Sequence, residues 1–447
     1  MSSATLPNTV LVQASRAPKP DAVWELSGLD RANHFLVLRG TWIFEGGLEP
    51  EQLKRGLGAL LNHYPHLAGR MREGGRVVLN NTGVPFTHAH TPEHQRRQLE
   101  QDHGFARFFH PQWRQGRVKK GLDAPLALRL TELADGQVLS VTCTHSCMDG
   151  ASFYGMVQRL SQLCAGRSIE PPVLDQGLLP TPALRSKAEV ERDARDAGWR
   201  PPAIFRSLPT LAKLAFGGLT NRSRPIHLDE VFLARLRRQG GEGCPDDIRL
   251  GDNDLLTAHL SMAVSRLYGH RPDTPIQQVV VIDARRRIAS IPATFVGNAA
   301  LNPLGARFTL GEPLPAVAQA THRALAPMLV RPSPATTRQV LLARELMDHG
   351  VILMHFDISA MHSAKPTVCY VNNFVRMPIY DLDFGLPGAP VRPVLAIPHD
   401  LPDPVLLWPG PPGRGGVELY LTGRPDTATR ALAADDPWWD QLFLRTV

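Results

Sequence analysis

Residues 138–150 read Val-Leu-Ser-Val-Thr-Cys-Thr-His-Ser-Cys-Met-Asp-Gly, and this stretch predicts a strand followed by a loop. Apolar and polar residues alternate over its first seven positions, as they do in a strand. A helix is then predicted from Ser152 to Cys164, because its apolar side chains recur at helical spacing. Either Asp149 or the serine at 152 can cap its N-terminus. His145 therefore leaves the end of a strand, with a carboxylate four residues on.

The surrounding sequence extends this pattern in both directions. Leu126 to Leu133 also alternates, and Ala134-Asp135-Gly136 supplies a turn, so a β-hairpin is predicted. Elsewhere helices and strands follow one another, with helices predicted at Glu51–His63 and Asn253–Leu267 and a strand at Val368–Phe374. We therefore expect an α/β fold.

The chain length favours two domains, because 447 residues exceed what one hydrophobic core usually organises. With 43% hydrophobic and 20% charged residues, the composition is that of a globular protein rather than a disordered one. The best linker candidate, from Pro171 to about Arg224, is rich in proline and basic residues. We assign residues 1–185 and 225–447 to the two domains and residues 186–224 to a crossover linker.

Several features indicate a cytoplasmic protein. Met1 to Pro20 lacks the layout of a signal peptide, and no apolar run approaches the length of a membrane span. The five cysteines are scattered and lack CxxC spacing, so no disulfide framework is expected; they are Cys143, Cys147, Cys164, Cys244 and Cys369.

The net charge of +7 and the pI near 9.4 suit a partner that carries phosphates or carboxylates. No basic helix, zinc-finger spacing or basic tract with interleaved aromatics is present, so nucleic acid is not the expected partner. The phosphates of coenzyme A and an acidic carrier protein fit the charge equally well.

The chemistry of His145 has two interpretations. An imidazole with a pKa near neutrality can take a proton from a hydroxyl or an amine as that group attacks a carbonyl. Asp149 can orient the ring or pair with an arginine, and Gly150 allows close backbone approach. Alternatively, the histidine is a core residue and the aspartate only a helix cap. These three residues alone favour the structural interpretation.

Two motifs favour the catalytic interpretation instead, because they resemble those of a known enzyme family. Residues 145–150 look like the HxxxDG signature of the BAHD acyltransferases, whose superfamily includes chloramphenicol acetyltransferase and condensation domains. Residues 374–385, Phe-Val-Arg-Met-Pro-Ile-Tyr-Asp-Leu-Asp-Phe-Gly, resemble the segment that carries the family's second motif, DFGWG. Similar stretches cover nearly the whole chain, among them Leu26–Asp30, Tyr64–Arg70, Gly83–Phe86, Asn253–His259, Asp283–Arg287 and Phe295–Asn298.

The resemblance implies a fold and a mechanism. The fold would be two similar domains of mixed sheet and helices, joined by the crossover linker, with a central tunnel that reaches His145. His145 would deprotonate the acceptor, which attacks the thioester without a covalent acyl-enzyme or a metal. Asp149 would pair with Arg285 as a structural residue, with Gly150 beside it. Structural roles are likewise implied for the second motif, Asp383, Phe384 and Gly385.

This sequence departs from the family pattern at two places. The second motif continues as Leu386-Pro387 instead of Trp-Gly. Where many members have a Thr/Ser-Ser-Trp run near the reacting oxygen, this chain has Asn372-Asn373-Phe374. Because an amide can donate a hydrogen bond to developing negative charge, we expect Asn373, or Asn372, to supply the oxyanion donor. A role in the strand or in a cap is the alternative for these asparagines.

Other polar and aromatic residues have structural interpretations. His88, His90 and His94 could suggest a metal site, but they lie in a strand neighbourhood typical of the family, and no metal is expected. His259 is expected to be a core residue. Trp438 and its neighbour Trp439 are expected to pack rather than to bind substrate.

The sequence therefore predicts an acyltransferase that moves an acyl group from acyl-CoA to a hydroxyl or an amine of a small molecule. Acyl-CoA, or the phosphopantetheine of an acyl carrier protein, would be the co-substrate, and no permanently bound cofactor is expected. One alternative takes the acyl group from the carrier protein in specialised metabolism. Another is a non-catalytic homologue that binds a small molecule or a partner. A cytoplasmic monomer is expected, without a membrane span.

Overall fold

Two six-stranded mixed sheets organise the chain. The computed structural model describes residues 8–16, 18–19, 21–101, 103–201, 222–361, 365–386, 392–394, 405–423 and 438–444. The strands in these ranges are β1 (Asn8–Val12), β2 (Val23–Glu25), β3 (Val37–Phe44), β4 (Arg70–Arg72), β5 (Arg76–Val78), β6 (Val84–His90), β7 (Leu126–Glu132), β8 (Gln137–Thr144), β9 (Arg222–Leu228), β10 (Pro275–Val280), β11 (Ile282–Asp283), β12 (Ala300–Leu301), β13 (Leu304–Thr309), β14 (Val368–Asn373), β15 (Arg392–Val394), β16 (Val405–Pro409) and β17 (Val417–Gly423).

Helices follow most of the strands in both halves of the chain. The α-helices are α1 (Gly28–Ala32), α2 (Pro50–Leu61), α3 (Arg96–Gln101), α4 (Gln115–Lys119), α5 (Gly150–Cys164), α6 (Lys187–Asp196), α7 (Glu230–Gly240), α8 (Asp252–Leu267), α9 (Leu314–Leu329), α10 (Pro334–Asp348), α11 (Ile358–Met361) and α12 (Trp438–Leu442). Short 3-10 helices lie at Pro65–Ala68, His103–Phe109 and Gln176–Leu178. No helix within the described ranges has the length and apolar character needed to span a bilayer.

The chain divides into two compact units, and the first is discontinuous in sequence. Unit 1 comprises Met1–Thr181, Ser290–Ala299 and Met377–Pro398, and unit 2 comprises the remainder. Two late segments therefore pack with the N-terminal part of the chain. The expected linker, residues 186–224, contains α6, and its residues 202–221 lie outside the described ranges. The domain boundaries at 185 and 225 stay a prediction.

Unit 1 is built around β8, the strand that precedes His145. Its sheet has the order β1-β6-β7-β8-β3-β15, and β8 is antiparallel to both β7 and β3. The predicted hairpin of β7 and β8 is thus confirmed. All eight residues of β8 are buried, and the hydroxyls of Thr41 on β3 and Ser140 on β8 hydrogen-bond at 3.1 Å. The predicted helix is α5, which packs against α2.

Unit 2 contains the second large sheet, of order β13-β10-β14-β16-β17-β9, in which β10, β14 and β16 run parallel. One face of this sheet packs against α7, α8 and α9 in a continuous hydrophobic core, which includes Val371, Leu407 and Leu419. Side chains alternate between the faces of a strand, so Tyr370 and Asn372 lie on the opposite face. The two faces of β14 therefore have different surroundings.

Candidate active site

His145 lies in the loop between β8 and α5, as predicted. Its backbone N–H donates to the carbonyl of Leu36 at 3.1 Å, which fixes the start of the loop. The side chain is partly exposed, and its Nδ1 atom is buried without a hydrogen-bond partner among the described residues. Burial lowers the pKa of the imidazole below its usual 6.5, although Asp149 and Asn298 oppose this shift. The ring is therefore neutral at pH 7 and able to accept a proton.

Asp149 serves as the N-cap of α5, and it also binds a second segment of unit 1. Its Oδ1 accepts a hydrogen bond from the backbone N–H of Ser152 at 3.0 Å, and its Oδ2 accepts one from Ala299 at 2.9 Å. Only 1% of the residue is exposed. Gly150 follows as the first residue of the helix. This carboxylate thus holds the histidine loop to residues 295–299.

Asn298 ties the same segment to the histidine itself. Its Nδ2 atom donates to the backbone carbonyl of His145 and to Oδ1 of Asp30, both at 2.8 Å. The Asn298 backbone N–H donates to the same Asp30 oxygen at 2.8 Å. The other carboxylate oxygen of Asp30 accepts from the backbone and the hydroxyl of Ser27, at 2.8 and 2.7 Å. Asp30 and Asn298 together form what we call the Asp30–Asn298 clamp on the histidine loop.

The carboxyl group of Asp30 lies in the interior of the protein, where a charged side chain is uncommon. Asp30 is fully buried, and burial raises the pKa of its carboxyl, while its four hydrogen bonds favour the ionised form. A buried carboxylate is tolerated when its oxygens are satisfied in this way. Both Leu26–Asp30 and Phe295–Asn298 belong to the stretches that resemble the family, but no role for them follows from the sequence. The pairing of their side chains is the part that sequence reasoning missed.

Gly297 allows residues 295–299 to approach the loop that carries His145 closely. Its φ of +140° is a conformation that side chains disfavour, and a Cβ there would lie 2.7 Å from Nε2 of Gln176. Its carbonyl accepts hydrogen bonds from the Asp149 backbone and the Ser152 hydroxyl, both at 3.3 Å. A glycine is therefore required at this position for the contact with the first turn of α5.

The second motif docks on the other end of α5. Asp383 forms a bidentate ion pair with Arg167 at 2.8 and 2.6 Å. The Phe384 backbone N–H donates to the hydroxyl of Ser161 at 2.8 Å, and its ring is buried. Gly385 has φ +82°, and a Cβ there would lie 3.1 Å from Cα of Ala165. These contacts tie the motif to the C-terminal end of α5 and to the residues that follow it.

The departure from DFGWG is accommodated locally. Leu386 occupies the place of the tryptophan, and its backbone N–H donates to the Asp383 carbonyl at 2.8 Å to close the turn. Its side chain lies beside Gly47, where an added Cβ would meet it at 3.1 Å. Pro387 lies outside the described residues.

Arg285 is buried in unit 2, where it binds Asp283. Its backbone N–H and its Nη1 atom both donate to Oδ1 of that carboxylate at 2.9 Å. The side chain is only 4% exposed. Its pairing with Asp149 stays a prediction.

The two candidate oxyanion donors lie on opposite faces of β14. Asn373 faces the core side, where its Nδ2 donates to Asn253 and its Oδ1 accepts from the Val375 backbone, both at 2.9 Å. Asn372 lies on the other face with Phe374, and both are partly exposed. The amide of Asn373 is thus engaged within the fold at both ends.

His88, His259 and Trp438 each form a hydrogen bond with another residue of the fold. His88 hydrogen-bonds Glu132 at 3.1 Å, and His259 contacts the Leu442 carbonyl at 2.7 Å within the core. Trp438 is buried and donates to the carbonyl of Ala263 at 2.8 Å. Within the described ranges, no group of three or more His, Cys, Asp or Glu side chains is placed to hold a metal ion.

Comparison with known proteins identifies the family. The sequence profile of the Transferase family matches residues 18–427. Tryptamine hydroxycinnamoyltransferase 2 of Oryza sativa subsp. japonica is 24% identical over 420 residues, which cover 89% of each chain. Hydroxycinnamoyltransferase 1 of the same organism is 29% identical over 384 residues, or 78% of each chain.

A solved structure shares the fold. The crystal structure of F. graminearum TRI101 complexed with coenzyme A and deoxynivalenol has a TM-score of 0.72 at 17% identity, over 94% of this chain and 98% of that chain. This likeness confirms the expected α/β class. The profile match spans most of the chain and confirms the expected kind of enzyme, an acyltransferase. The chain therefore belongs to the Transferase family of BAHD-type acyltransferases.

Proposed function

We propose that this protein transfers an acyl group from a coenzyme A thioester to a hydroxyl or an amine of a small molecule, with His145 as the general base. The observation that carries this proposal is the placement of His145 in a fixed loop between β8 and α5. Burial keeps the ring neutral, and Asp149 and the Asp30–Asn298 clamp hold its loop in place. A neutral, partly exposed imidazole in a fixed loop is suited to accept a proton.

The proposed reaction proceeds in two steps on the bound substrates. His145 takes the proton of the acceptor O–H or N–H as the acceptor oxygen or nitrogen bonds to the thioester carbonyl carbon. The tetrahedral intermediate then collapses, the C–S bond breaks, and the imidazolium returns the proton to the departing thiolate. The products are the ester or amide and free coenzyme A, and no acyl-enzyme forms.

The negative charge on the intermediate needs a donor, and we assign this role to Asn372. Its side chain lies on the sheet face away from the hydrophobic core, and its amide can donate a hydrogen bond to an oxyanion. Asn373 is the weaker candidate because its amide already binds Asn253 and the Val375 backbone. The pairing of Arg285 with Asp149 remains part of the proposal as a structural element.

The acceptor class follows from the general base. Both hydroxyls and amines lose a proton during acylation, and the name of tryptamine hydroxycinnamoyltransferase 2 gives an amine acceptor for that relative. We further propose that the protein acts as a cytoplasmic monomer in specialised metabolism, with acyl-CoA as donor. A donor bound to a carrier protein is tested as the alternative below.

The test is release of free thiol from a panel of acyl-CoAs in the presence of small alcohols and amines. We expect turnover in the wild type, with His145→Ala reducing kcat by roughly 10²- to 10⁴-fold. His90→Ala, which removes an exposed histidine, serves as the matched control and should retain activity. Equal activity in the His145→Ala variant would contradict the base assignment. Transfer only from acylated carrier protein would support that donor, and binding without transfer would support a non-catalytic homologue.

A further inference from the structure

One row of side chains crosses the face of the unit 2 sheet that is turned away from its helices. Leu407 on β16 belongs to the helix-covered core, so Trp408, the next residue, lies on the other face. Glu418 on β17 is the register partner of Trp408, and His227 on β9 is the partner of Glu418. Phe374 follows the last residue of β14, and its backbone N–H donates to the Leu407 carbonyl at 2.7 Å. The row therefore runs from the end of β14 to the edge strand β9.

Three aromatic rings of this face contact one another. The rings of Phe374 and Trp408 stack, with centroids 4.7 Å apart and planes 13° from parallel. Tyr420 lies two residues after Glu418 on the same face, and its ring meets Trp408 edge-on with centroids 6.2 Å apart. Trp408 and Tyr420 are only 2% and 1% exposed, whereas Phe374 and Glu418 are partly exposed. A ligand can therefore reach the row at Phe374 and Glu418.

The carboxyl group of Glu418 has no cation beside it. Among the described residues, no basic side chain forms an ion pair with Glu418, and the exposed Arg414 acts on it only at longer range. Burial raises the pKa of this carboxyl to about 7, although Arg414 and a hydrogen bond from Tyr420 oppose the shift. Burial and the charge of Arg414 lower the pKa of His227, so its ring is neutral at pH 7. A bound cation would offset the cost of ionising this carboxyl.

Aromatic rings beside a carboxylate suit one kind of ligand, an ammonium group. The faces and edges of the rings form an apolar wall, and the ring faces attract a cation through their quadrupole. The carboxylate adds charge attraction and, for an ammonium that carries N–H groups, a charge-assisted hydrogen bond. An anion would be repelled by Glu418, and a neutral group would gain neither attraction.

We propose that an ammonium group of the acceptor substrate binds to the aromatic–carboxylate site, which consists of Phe374, Trp408, Glu418 and Tyr420. This proposal rests on the proposed function, because it takes the protein to bind a small-molecule acceptor. Asn372, to which we assign the oxyanion, lies on the same face, two strands and two residues away from Glu418. Strand spacing of about 4.8 Å and a rise of about 3.3 Å per residue place the two Cα atoms about 12 Å apart. The ammonium group is therefore a second group of the acceptor, distinct from the one that is acylated.

Binding of simple cations tests the proposal without any need for turnover. Calorimetry at low salt measures the Kd of choline, of its uncharged isostere 3,3-dimethylbutan-1-ol, and of putrescine. We expect the wild type to bind choline about tenfold more tightly than the isostere. Glu418→Gln should weaken the binding of both cations about tenfold and leave the isostere unchanged. Phe374→Leu should weaken choline binding about two- to fivefold, because it removes one ring of the site.

Glu242→Gln is the matched control, because it removes an exposed carboxylate of unit 2 and should leave every Kd unchanged. Thermal unfolding verifies that each variant is folded. A loss confined to putrescine assigns the site to primary ammonium groups, and a loss confined to choline assigns it to quaternary ones.

Three results would overturn the proposal: no choline or putrescine binding by the wild type, equal Kd values for choline and putrescine in the wild type and Glu418→Gln, or an equal loss for the isostere. Because none of these measurements involves acyl transfer, failure of the proposed reaction would be seen separately in the thiol-release assay.

Discussion

Removal of the Asn298 side chain should separate the positioning of His145 from the stability of the fold. Asn298→Ala deletes three side-chain hydrogen bonds: Nδ2 donates to the buried Asp30 carboxylate and to the His145 carbonyl, and Oδ1 accepts from Asn33. A hydrogen bond to a charged group contributes about 1.5–3 kcal/mol and one between neutral groups about 0.5–1.5 kcal/mol. We therefore expect a loss of about 2.5–6 kcal/mol in the free energy of unfolding.

The effect on activity follows from the second of these bonds. Without it the backbone of His145 is less restrained, and a displacement of about 1 Å of a catalytic group can reduce the rate roughly 10²-fold. We expect kcat to fall by about 10- to 100-fold with little change in KM, because the base acts after the substrates have bound. Denaturant unfolding and steady-state thiol release give the two quantities.

Asn33→Ala is the matched control for this prediction. Asn33 donates to the Leu29 carbonyl at 2.9 Å and to Oδ1 of Asn298 at 3.2 Å, so the variant loses two hydrogen bonds, the second of which Asn298→Ala also removes. It keeps both bonds made by Nδ2 of Asn298. We expect lower stability by about 1–3 kcal/mol with kcat nearly retained. The reasoning is refuted if Asn298→Ala keeps its kcat, or if Asn33→Ala loses as much of it.

Further predictions concern pH, the close approach at residue 297 and the second motif. The base must be neutral, and burial lowers the pKa of His145 below 6.5. We therefore expect kcat/KM to fall only below pH 6.5 and to stay level above it. A decrease in kcat/KM that begins above pH 7 on acidification would contradict this assignment. Gly297→Ala should lose about 1–3 kcal/mol of stability in thermal unfolding, because the new Cβ meets Gln176 in a disfavoured conformation. Asp383→Ala should change stability by about 1 kcal/mol or less, because its ion pair is nearly half exposed, whereas Phe384→Ala should cost about 3–5 kcal/mol. Equal losses in these two variants would contradict the assignment of the motif's stability to its buried ring.

Local patterning predicted the part of the site that is continuous in sequence. The alternation up to residue 144 and the helical spacing after residue 151 placed His145 between β8 and α5, because strand and helix periods differ. Asp149 was recognised as a possible cap for the same reason. What local patterns could not supply is a contact between residues far apart in the chain. Asp30 and Asn298 are 268 residues apart, and nothing in either segment specifies the other.

The asparagine pair shows a second limit of sequence reasoning. Adjacent residues of a strand point to opposite faces, so an error of one position exchanges core and surface. Residue type alone gives no means to choose between Asn372 and Asn373, because either amide can donate a hydrogen bond. The choice depends on which face the helices cover, which is a property of the whole sheet.

Helix α5 is held at both ends by segments that come from elsewhere in the chain. Residues 295–299 bind its first turn, and Phe384 and Gly385 contact its last turn and the residue that follows it. The helix is roughly 22 Å long, from its 15 residues. For the construction of chimeric enzymes, this means that a crossover point between the two motifs would separate α5 from its supports. A chimera made to exchange acceptor or donor preference between relatives should therefore take residues 138–164, 290–299 and 377–386 from the same parent.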